Sequence, residues 1–544
     1  MTAIHAPRIL RPHPLPAALL VLLCLLCLPG RPAAAATPFD QGITLLAARD
    51  FQSKAQAIDL LADSGDTRAR SILTALLAGR LFHVKKTGAL VLAEKQGRAY
   101  RITGALSGTA EGTVRKRALR KVTINNRLRR HIKAVLARLD LTDPDPAVRL
   151  AAVNAMLSTL DPGSIGLLTK LRAGEQDPRV RDALATAIAI GGLRSSDSRT
   201  RLDALAGLDG NLNPAVRNEL VQLIADEQDE AVRSRARATL ASIETRIAWS
   251  GLAETLFFGL STGSVLVLAA IGLAITFGVI GVINMAHGEL IMLGAYTSYV
   301  LQQLLPGSVG LALLLSVPVA FLVSGGVGIV IEKTVIRFLY GRPLETLLAT
   351  FGISLILQQA VRTIFSPLNR SVASPAWMSG MIQVNPVLSL TMNRLTILAF
   401  TALVFSGLYW IMKKSAMGLQ VRAVAQNRAM ARAMGVRAAR VDALTFGLGS
   451  GIAGMAGVAL SQLTNVGPNL GQAYIIDSFL VVVFGGVGNL WGTLLGGLTL
   501  GVANKFMEPW TGAVLAKIMI LVFIILFIQK RPSGLFPQKG RAEA

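Results

Sequence analysis

An asparagine, a histidine and a glutamate lie within six residues of one another in VINMAHGELIMLGAY, positions 282–296, between two strongly apolar runs. Asn284 offers an amide donor and acceptor, His287 a ring nitrogen in either role, and Glu289 two carboxylate oxygens. Such groups can hold a small amide-like solute by hydrogen bonds. Polar groups at membrane depth cost free energy, so two readings stand side by side. In one, the stretch is a helix-connecting turn near the water interface. Asn284 then caps the next helix, His287-Gly288 bends the chain, and Glu289 favours the positive end of the helix dipole. In the other, the turn lines a substrate pathway or its inner gate. Ser354 and Gln358, inside a later apolar run, are candidates for the same pathway. Thr350, Gln359, Asp442, Asp477 and Asn504 are comparable, and the sequence does not rank them.

No catalytic constellation accompanies these residues. The dipeptide Gly-Lys never occurs, so there is no phosphate-binding loop of the G-x-x-x-x-G-K-[ST] type, and any ATP that drives the protein must bind elsewhere. The glycines at 485–488 do not complete a dinucleotide fingerprint. Five histidines offer no metal-ligand spacing. No enzyme activity, cofactor or metal is expected.

The elements that must position the polar residues follow from the distribution of charge. The chain has 544 residues, 52% of them hydrophobic, with a mean hydropathy of +0.52. From Thr37 to Ser250 there are 33 Lys+Arg and 23 Asp+Glu, against 19 and 8 from Gly251 onward. A soluble domain over 37–250 is therefore expected to precede a membrane domain over 251–544. Residues 1–36 read as a signal peptide: Arg8 and Arg11, an apolar stretch from Ala17 to Leu28, and small residues at Ala34-Ala35-Ala36. An uncleaved anchor is the alternative, and both send the next domain across the membrane. Both cysteines, Cys24 and Cys27, fall in this segment, which removes disulfides and thiol chemistry from the mature chain.

Within 37–250 four stretches share a pattern: DPDPAVR from Asp143, EQDPRVR from Glu175, NLNPAVR from Asn211 and EQDEAVR from Glu227. Each supplies a capping residue and a helical run, most with proline in the first turn. Val148, Val180, Val216 and Val232 are spaced 32, 36 and then 16 residues apart. The pattern looks like an irregular HEAT-type array of helix pairs, against the alternative of a plain helical bundle. LFHVKKTGALVLAEKQGRAYRITG, before it, reads as a small β-hairpin element. Ten Lys/Arg between Arg115 and Arg138 suit a solvated helix face, or one turned to anionic lipid or an acidic partner. No aromatic residue interleaves them to stack on bases, and nucleic acid is not expected.

Beyond Ser250, nine apolar runs predict about nine spans, near 255–281, 286–304, 310–331, 346–365, 393–412, 441–462, 473–489, 491–507 and 512–529. Several are short or glycine-rich and suit re-entrant segments. Lys333, Arg337 and Arg342, then seven Lys/Arg between Lys413 and Arg440, then Lys530 and Arg531, mark three cytoplasmic regions by the positive-inside rule. An odd number of spans then puts Ser250 outside, in agreement with the signal peptide. Gly485, Gly486, Gly488, Gly492 and Gly496 suit close helix packing, or a hinge near 485–492. The segment from Lys413 to Gly447 reads as a short basic helix for a partner's cleft or for the anionic leaflet.

Three stretches carry a resemblance: GLSTGSVLVLAAIGLAITFGVIGVINMAHGELIMLGAY, LQVRAVAQNRAMARAMGVRAARVDALTF, and VVVFGGVGNLWGTLLGG followed by RPSGLF. Over Ala253 to Pro537 the chain resembles the permeases of branched-chain amino acid ABC importers, and with its exported N-terminal domain it is most similar to the urea-transport branch. The resemblance implies an all-α polytopic permease of the bacterial inner membrane, working by alternating access. It also implies a second permease subunit, two cytoplasmic ATP-binding subunits and a periplasmic substrate-binding protein. Arg428, Arg432 and Gly435 then fall in an ATPase-coupling helix at 418–440. The expected cargo is urea or a short-chain amide, with a branched-chain amino acid as the alternative. A membrane-anchored scaffold would need no coupling helix. An ion-driven carrier would want more intramembrane carboxylates than Asp442 and Asp477.

Overall fold

A computed structural model describes residues 37–536, apart from Arg49 and residues 97–98, 158–159 and 161–163. The expected signal segment, 1–36, lies outside the described residues. The chain divides into two compact units: the residues up to Asn211 with Ala215–Thr239, and Leu240 onward with Leu212–Pro214.

The first unit opens with three helices, α1 (Pro38–Leu46), α2 (Phe51–Asp63) and α3 (Thr67–Leu77). Thr37, Asp50 and Asp66 cap them by accepting backbone N–H bonds. The expected hairpin is larger than its sequence suggests. β1 (Leu81–Val84), β2 (Leu90–Gln96), β3 (Ala99–Gly104), β4 (Ala110–Val114) and β5 (Leu119–Lys121) form one antiparallel sheet in the order β4-β3-β2-β1-β5. The basic run is split between β5 and α4 (Asn126–Asp140), so it is not one helix face.

Six helices follow: α5 (Pro146–Met156), α6 (Ser164–Gly174), α7 (Pro178–Gly192), α8 (Ser198–Gly207), α9 (Pro214–Asp226) and α10 (Glu230–Ile280). Val148, Val180 and Val216 fall at the starts of α5, α7 and α9, every second helix, whereas Val232 begins the very next one. The short last gap in the sequence pattern is thus one helix rather than one pair. A second regularity, absent from that pattern, ties the helices together. Arg149 donates to both oxygens of Glu175, at 2.8 and 2.7 Å, and Arg201 pairs with Glu227 at 2.8 Å. Each glutamate also accepts two backbone N–H groups just before the next helix, from Gln176 and Asp177 and from Gln228 and Asp229.

The second unit is helical: the rest of α10, then α11 (His287–Leu304), α12 (Val309–Thr334), α13 (Pro343–Phe365), α14 (Met392–Lys414), α15 (Ala416–Gln426), α16 (Arg428–Ala433), α17 (Ala438–Ser461), α18 (Gln472–Gly485), α19 (Leu490–Thr511) and α20 (Ala513–Lys530). A short hairpin, β6 (Met381–Gln383) and β7 (Ser389–Thr391), precedes α14. All nine expected apolar runs are helices, but six of them are long and apolar enough to cross a membrane: α10, α12, α13, α14, α17 and α20. The other three expected runs, α11, α18 and α19, do not meet that measure of length and composition. α18 has 14 residues, about 21 Å at 1.5 Å per residue, against a hydrocarbon core of about 30 Å. α11 is rich in polar residues because neighbouring helices, and not lipid, surround most of it.

Glycine makes that enclosure possible. Side-chain atoms added at Gly294 and Gly457 would run into the backbones of α17 and α11 respectively, and at Gly272 into the backbone at Gly449. α10, α11, α12 and α17 therefore touch backbone to backbone, the close approach that small residues permit in membranes. At the C-terminal end, Gly485 and Gly492 meet across the α18–α19 turn, Gly496 faces Val481 and Gly485, and Gly486 sits at φ +103°. Gly488 abuts Gly278. The segment after α20 closes this turn: Leu535 N–H donates to the Phe484 carbonyl and Phe536 N–H to that of Gly485, at 2.9 and 3.2 Å. The glycines of this cluster thus lie in close backbone contact.

Two outcomes follow from this packing. Gly294→Val forces two backbones apart and is expected to abolish the stable monodisperse chain in detergent, since overpacking typically costs about 1–3 kcal/mol even where side chains can yield. Gly407→Val, where nothing lies within reach of the new atoms, should leave the thermal unfolding temperature unchanged. In the first unit, the hydrogen bond from Arg149 holds the Glu175 carboxyl below its usual range. A depressed folded-state pKa stabilises above the unfolded value and is lost as pH falls through the folded one. Glu175→Gln should therefore speed amide exchange over 175–192 at pH 7, and the difference from wild type should close in acid below the normal carboxyl range.

Candidate functional site

The chain leaves α10 at Gly281 and re-enters helix at His287. The turn between them is not a solvent-facing connection. Asn284, His287 and Glu289 are 1%, 0% and 2% exposed, so the interface-turn reading is corrected: all three are enclosed by protein. Asn284 does not cap α11. Its Oδ1 accepts from Ala286 N–H at 3.0 Å, and the N-cap position, Ala286, makes no side-chain bond. The Met285 N–H donates to Thr350 Oγ1 on α13 at 3.2 Å.

His287 and Glu289 are two residues apart on α11, about 200° around the helix, and reach different neighbours. His287 Nε2 lies 2.8 Å from the Ala269 carbonyl of α10. A carbonyl only accepts, so Nε2 carries the proton and Nδ1 is the bare nitrogen. Glu289 Oε1 accepts from Gln358 Nε2 of α13 at 2.7 Å, and that nitrogen also lies 3.4 Å from Ser354 Oγ. Three of the five pathway candidates, Glu289, Ser354 and Gln358, thus form one buried cluster. Asn284 and His287 are not bonded into it. Of the comparable residues, Asp477 pairs with Lys517 at 2.9 Å, Asp442 with Arg428, and Gln359 is exposed.

Sequence reasoning missed what lies two turns further along both helices. Tyr296 and Phe365, each seven residues beyond Glu289 and Gln358, meet with ring centroids 4.8 Å apart, and Tyr299 meets Phe365 edge-on at 6.4 Å. The common seven-residue step on two helices was the signal available. Beyond the rings lie Ser298, Ser316 and Ser461 with hydroxyl oxygens 3.3 Å apart, and Gln462, whose amide donates to Ser461 Oγ at 3.2 Å. Four atoms along this file are buried without a hydrogen-bond partner among the described residues: Asn284 Nδ2, His287 Nδ1, Glu289 Oε2 and Tyr296 OH. Leaving such groups unpaired costs roughly 1–3 kcal/mol each; three sit on α11 and one in the turn before it, and each calls for an explanation other than packing.

At the other candidate region, α15 and α16 are separate helices broken at Asn427, and Gly435 turns the chain in the left-handed region at φ +86°. Arg428 was expected to face a partner. It instead pairs with the buried carboxylate of Asp442 and lies over the Tyr340 ring, 4.7 Å from its centroid. Tyr340 OH in turn donates to Glu332 Oε1 at 2.7 Å. Arg432 and Gly435 are exposed, beside Met430 and Met434 at 61% and 78%.

A family model described as the branched-chain amino acid transport system permease component matches residues 255–528. The chain belongs to that family. The high-affinity branched-chain amino acid permease BraD of Pseudomonas aeruginosa is 33% identical over 301 residues, 53% of this chain and 96% of its own. LivH of Escherichia coli is 31% identical over 300 residues with the same coverage. The ribose import permease RbsC of Escherichia coli is 25% identical, over 46% of this chain and 77% of its own. No solved structure matches this chain. As a permease component, the protein is a multi-pass membrane protein and not an enzyme, and Glu289, Gln358 and Arg428 all lie within the matched region.

If the buried file is the solute path, its charge matters more than its shape. Glu289→Gln keeps the volume and the bond to Gln358 but removes the negative acceptor. Solute uptake should fall roughly tenfold or more, the loss of one charge-assisted hydrogen bond of about 1.5–3 kcal/mol. Subunit assembly, read by co-purification, should be unchanged.

Proposed function

We propose that this chain forms the solute path of an ATP-driven importer and takes the energy for alternating access from separate cytoplasmic ATP-binding subunits. In this reading it pairs with a second permease subunit and receives solute from a periplasmic binding protein. The observation that carries it is the unpartnered Oε2 of Glu289, buried in the cluster that Glu289 forms with Gln358 and Ser354. Glu289 Oε2 is an acceptor awaiting an N–H donor, which the ammonium of an amino acid and the amide groups of urea both supply. Arg432, Met430 and Met434, at the exposed tip of the α15–α16 segment, are the surface we assign to the ATPase cleft.

For the cargo, the named relatives favour a branched-chain amino acid. A second reading, urea or a short-chain amide, is favoured by the residues before 255, since BraD is matched over nearly all its length by only 53% of this chain. We read residues 1–36 as a signal peptide and 37–250 as a periplasmic helical-repeat domain that helps to dock the binding protein. Deleting 37–250 behind a retained leader should then weaken capture of the binding protein.

The deciding measurement is ATP-dependent uptake of labelled leucine against labelled urea in proteoliposomes holding the chain with its co-purifying subunits. Leucine uptake competed by isoleucine supports the first reading. Urea uptake competed by acetamide supports the second. ATP hydrolysis that no added solute stimulates, with no uptake of either, overturns the importer reading.

A further inference from the structure

Lys333, Arg337, Arg437 and Arg440 surround one cavity of about 490 Å³ where α12 ends and α17 begins. No carboxylate pairs with any of the four among the described residues. The carboxylate that lines the cavity, Glu332, is 2% exposed and already accepts the Tyr340 hydroxyl. The first turn of α17 adds to the positive field: its N-cap, Arg437, makes no side-chain cap bond, and Ala439 of that turn lines the cavity. Uncapped N–H groups at a helix start attract anions.

A second cavity, of about 340 Å³, shares Ile329 and Leu444 with the first. Its walls are apolar: Phe321, Leu322, Gly325 and Gly326 of α12 face Gly447 and Leu448 of α17. Phe321 lies twelve residues before Lys333 and Leu448 eight after Arg440. At 1.5 Å per residue the apolar part reaches about 12–18 Å from the cationic end. On both helices it runs toward the middle of the apolar length and away from the charged end. A four-fold cationic pocket at one membrane face, opening into a greasy groove that descends between two spanning helices, matches one kind of molecule in shape and charge.

We propose that this site holds an anionic phospholipid, its phosphate among Arg437, Arg440, Lys333 and Arg337 and an acyl chain along Gly325 and Gly326. The assignment is independent of the cargo, because none of its residues lies on α11; Arg437 and Arg440 fall at the end of the stretch expected to couple to an ATPase, so the test reads lipid retention and not transport. Basic pockets between spanning helices suit such headgroups. Bound there, the lipid bridges α12 and α17, two of the four helices packed backbone to backbone.

The test uses the full chain in detergent, titrated with phosphatidylglycerol or phosphatidylcholine and read by native mass spectrometry. Phosphatidylglycerol should be retained preferentially. Each basic side chain near a membrane surface is worth roughly a factor of five, so the double variant Arg437→Ala/Arg440→Ala should weaken its retention roughly thirty-fold. Lys333→Ala/Arg337→Ala provides a second removal of charge if the first pair unfolds. Gly326→Phe fills the groove from a position with nothing within reach of a new side-chain atom. It should weaken binding of the two-chain lipid without touching any cation. Equal retention of the two lipids by the wild type overturns the proposal. So does a Gly326→Phe chain that binds phosphatidylglycerol as before, which would make this a site for free phosphate or for an acidic side chain of a partner.

Discussion

The membrane unit depends on helices that meet with no side chains between them. Where Gly294 faces Gly454, Gly272 faces Gly449 and Gly288 faces Gly471, the contact is made by main-chain atoms. Two consequences follow. The interface tolerates almost no added volume, because a backbone cannot change rotamer as a leucine can. Polar side chains admitted to such an interface also find backbone carbonyls of the next helix within reach. His287 takes the carbonyl of Ala269 and Ser324 that of Leu290, while Thr401 reaches Ser264. Glycine packing and buried polarity are therefore one design, in which close approach supplies the acceptors that make the polar residues affordable.

The same logic explains why Arg428 turns inward. Asp442 is fully buried, and Glu332 nearly so, on the facing helices α17 and α12. Two enclosed carboxylates need cations or hydroxyls, and a carboxylate left without its partner in such a place is strongly destabilising. Arg428 answers Asp442, Tyr340 answers Glu332, and the guanidinium on the tyrosine ring links the two pairs. The α15–α16 segment is thereby fastened to the core at Arg428, while its tip at Arg432 to Gly435 stays exposed.

How much of this was legible in the sequence differs by feature, for physical reasons. Apolar runs and caps are local, so each of the nine helical segments past Ser250 and the Asp- and Pro-marked helix starts of the first unit could be read directly. The crossing number could not, because α11 owes its polarity to neighbours that only the fold supplies. The sheet was read as a hairpin because β4 and β5 are short and lie in charged sequence, AEGTV and LRK. At the candidate site, residue type pointed to Glu289, Ser354 and Gln358, but pairing across 69 positions is invisible without the fold. The inward turn of Arg428 was illegible for the same reason: its partner's burial is a property of the fold.

The two-residue spacing of His287 and Glu289 gives α11 a role that neither residue would have alone. One side is bonded to α10 and the other to α13. The apolar windows of α10 and α17 are each 83% buried, whereas that of α13 is 28% buried, so α13 is the less firmly held neighbour. Its described polar ties to the core, through Thr350, Gln358 and Arg362, are a few hydrogen bonds of modest net worth. The Glu289–Gln358 bond and the Tyr296–Phe365 contact both depend on α13, whereas the glycine contacts of α10, α11 and α17 do not involve it. A solute offering N–H donors would meet the unpaired Oε2 of Glu289, on the carboxylate whose other oxygen Gln358 already holds.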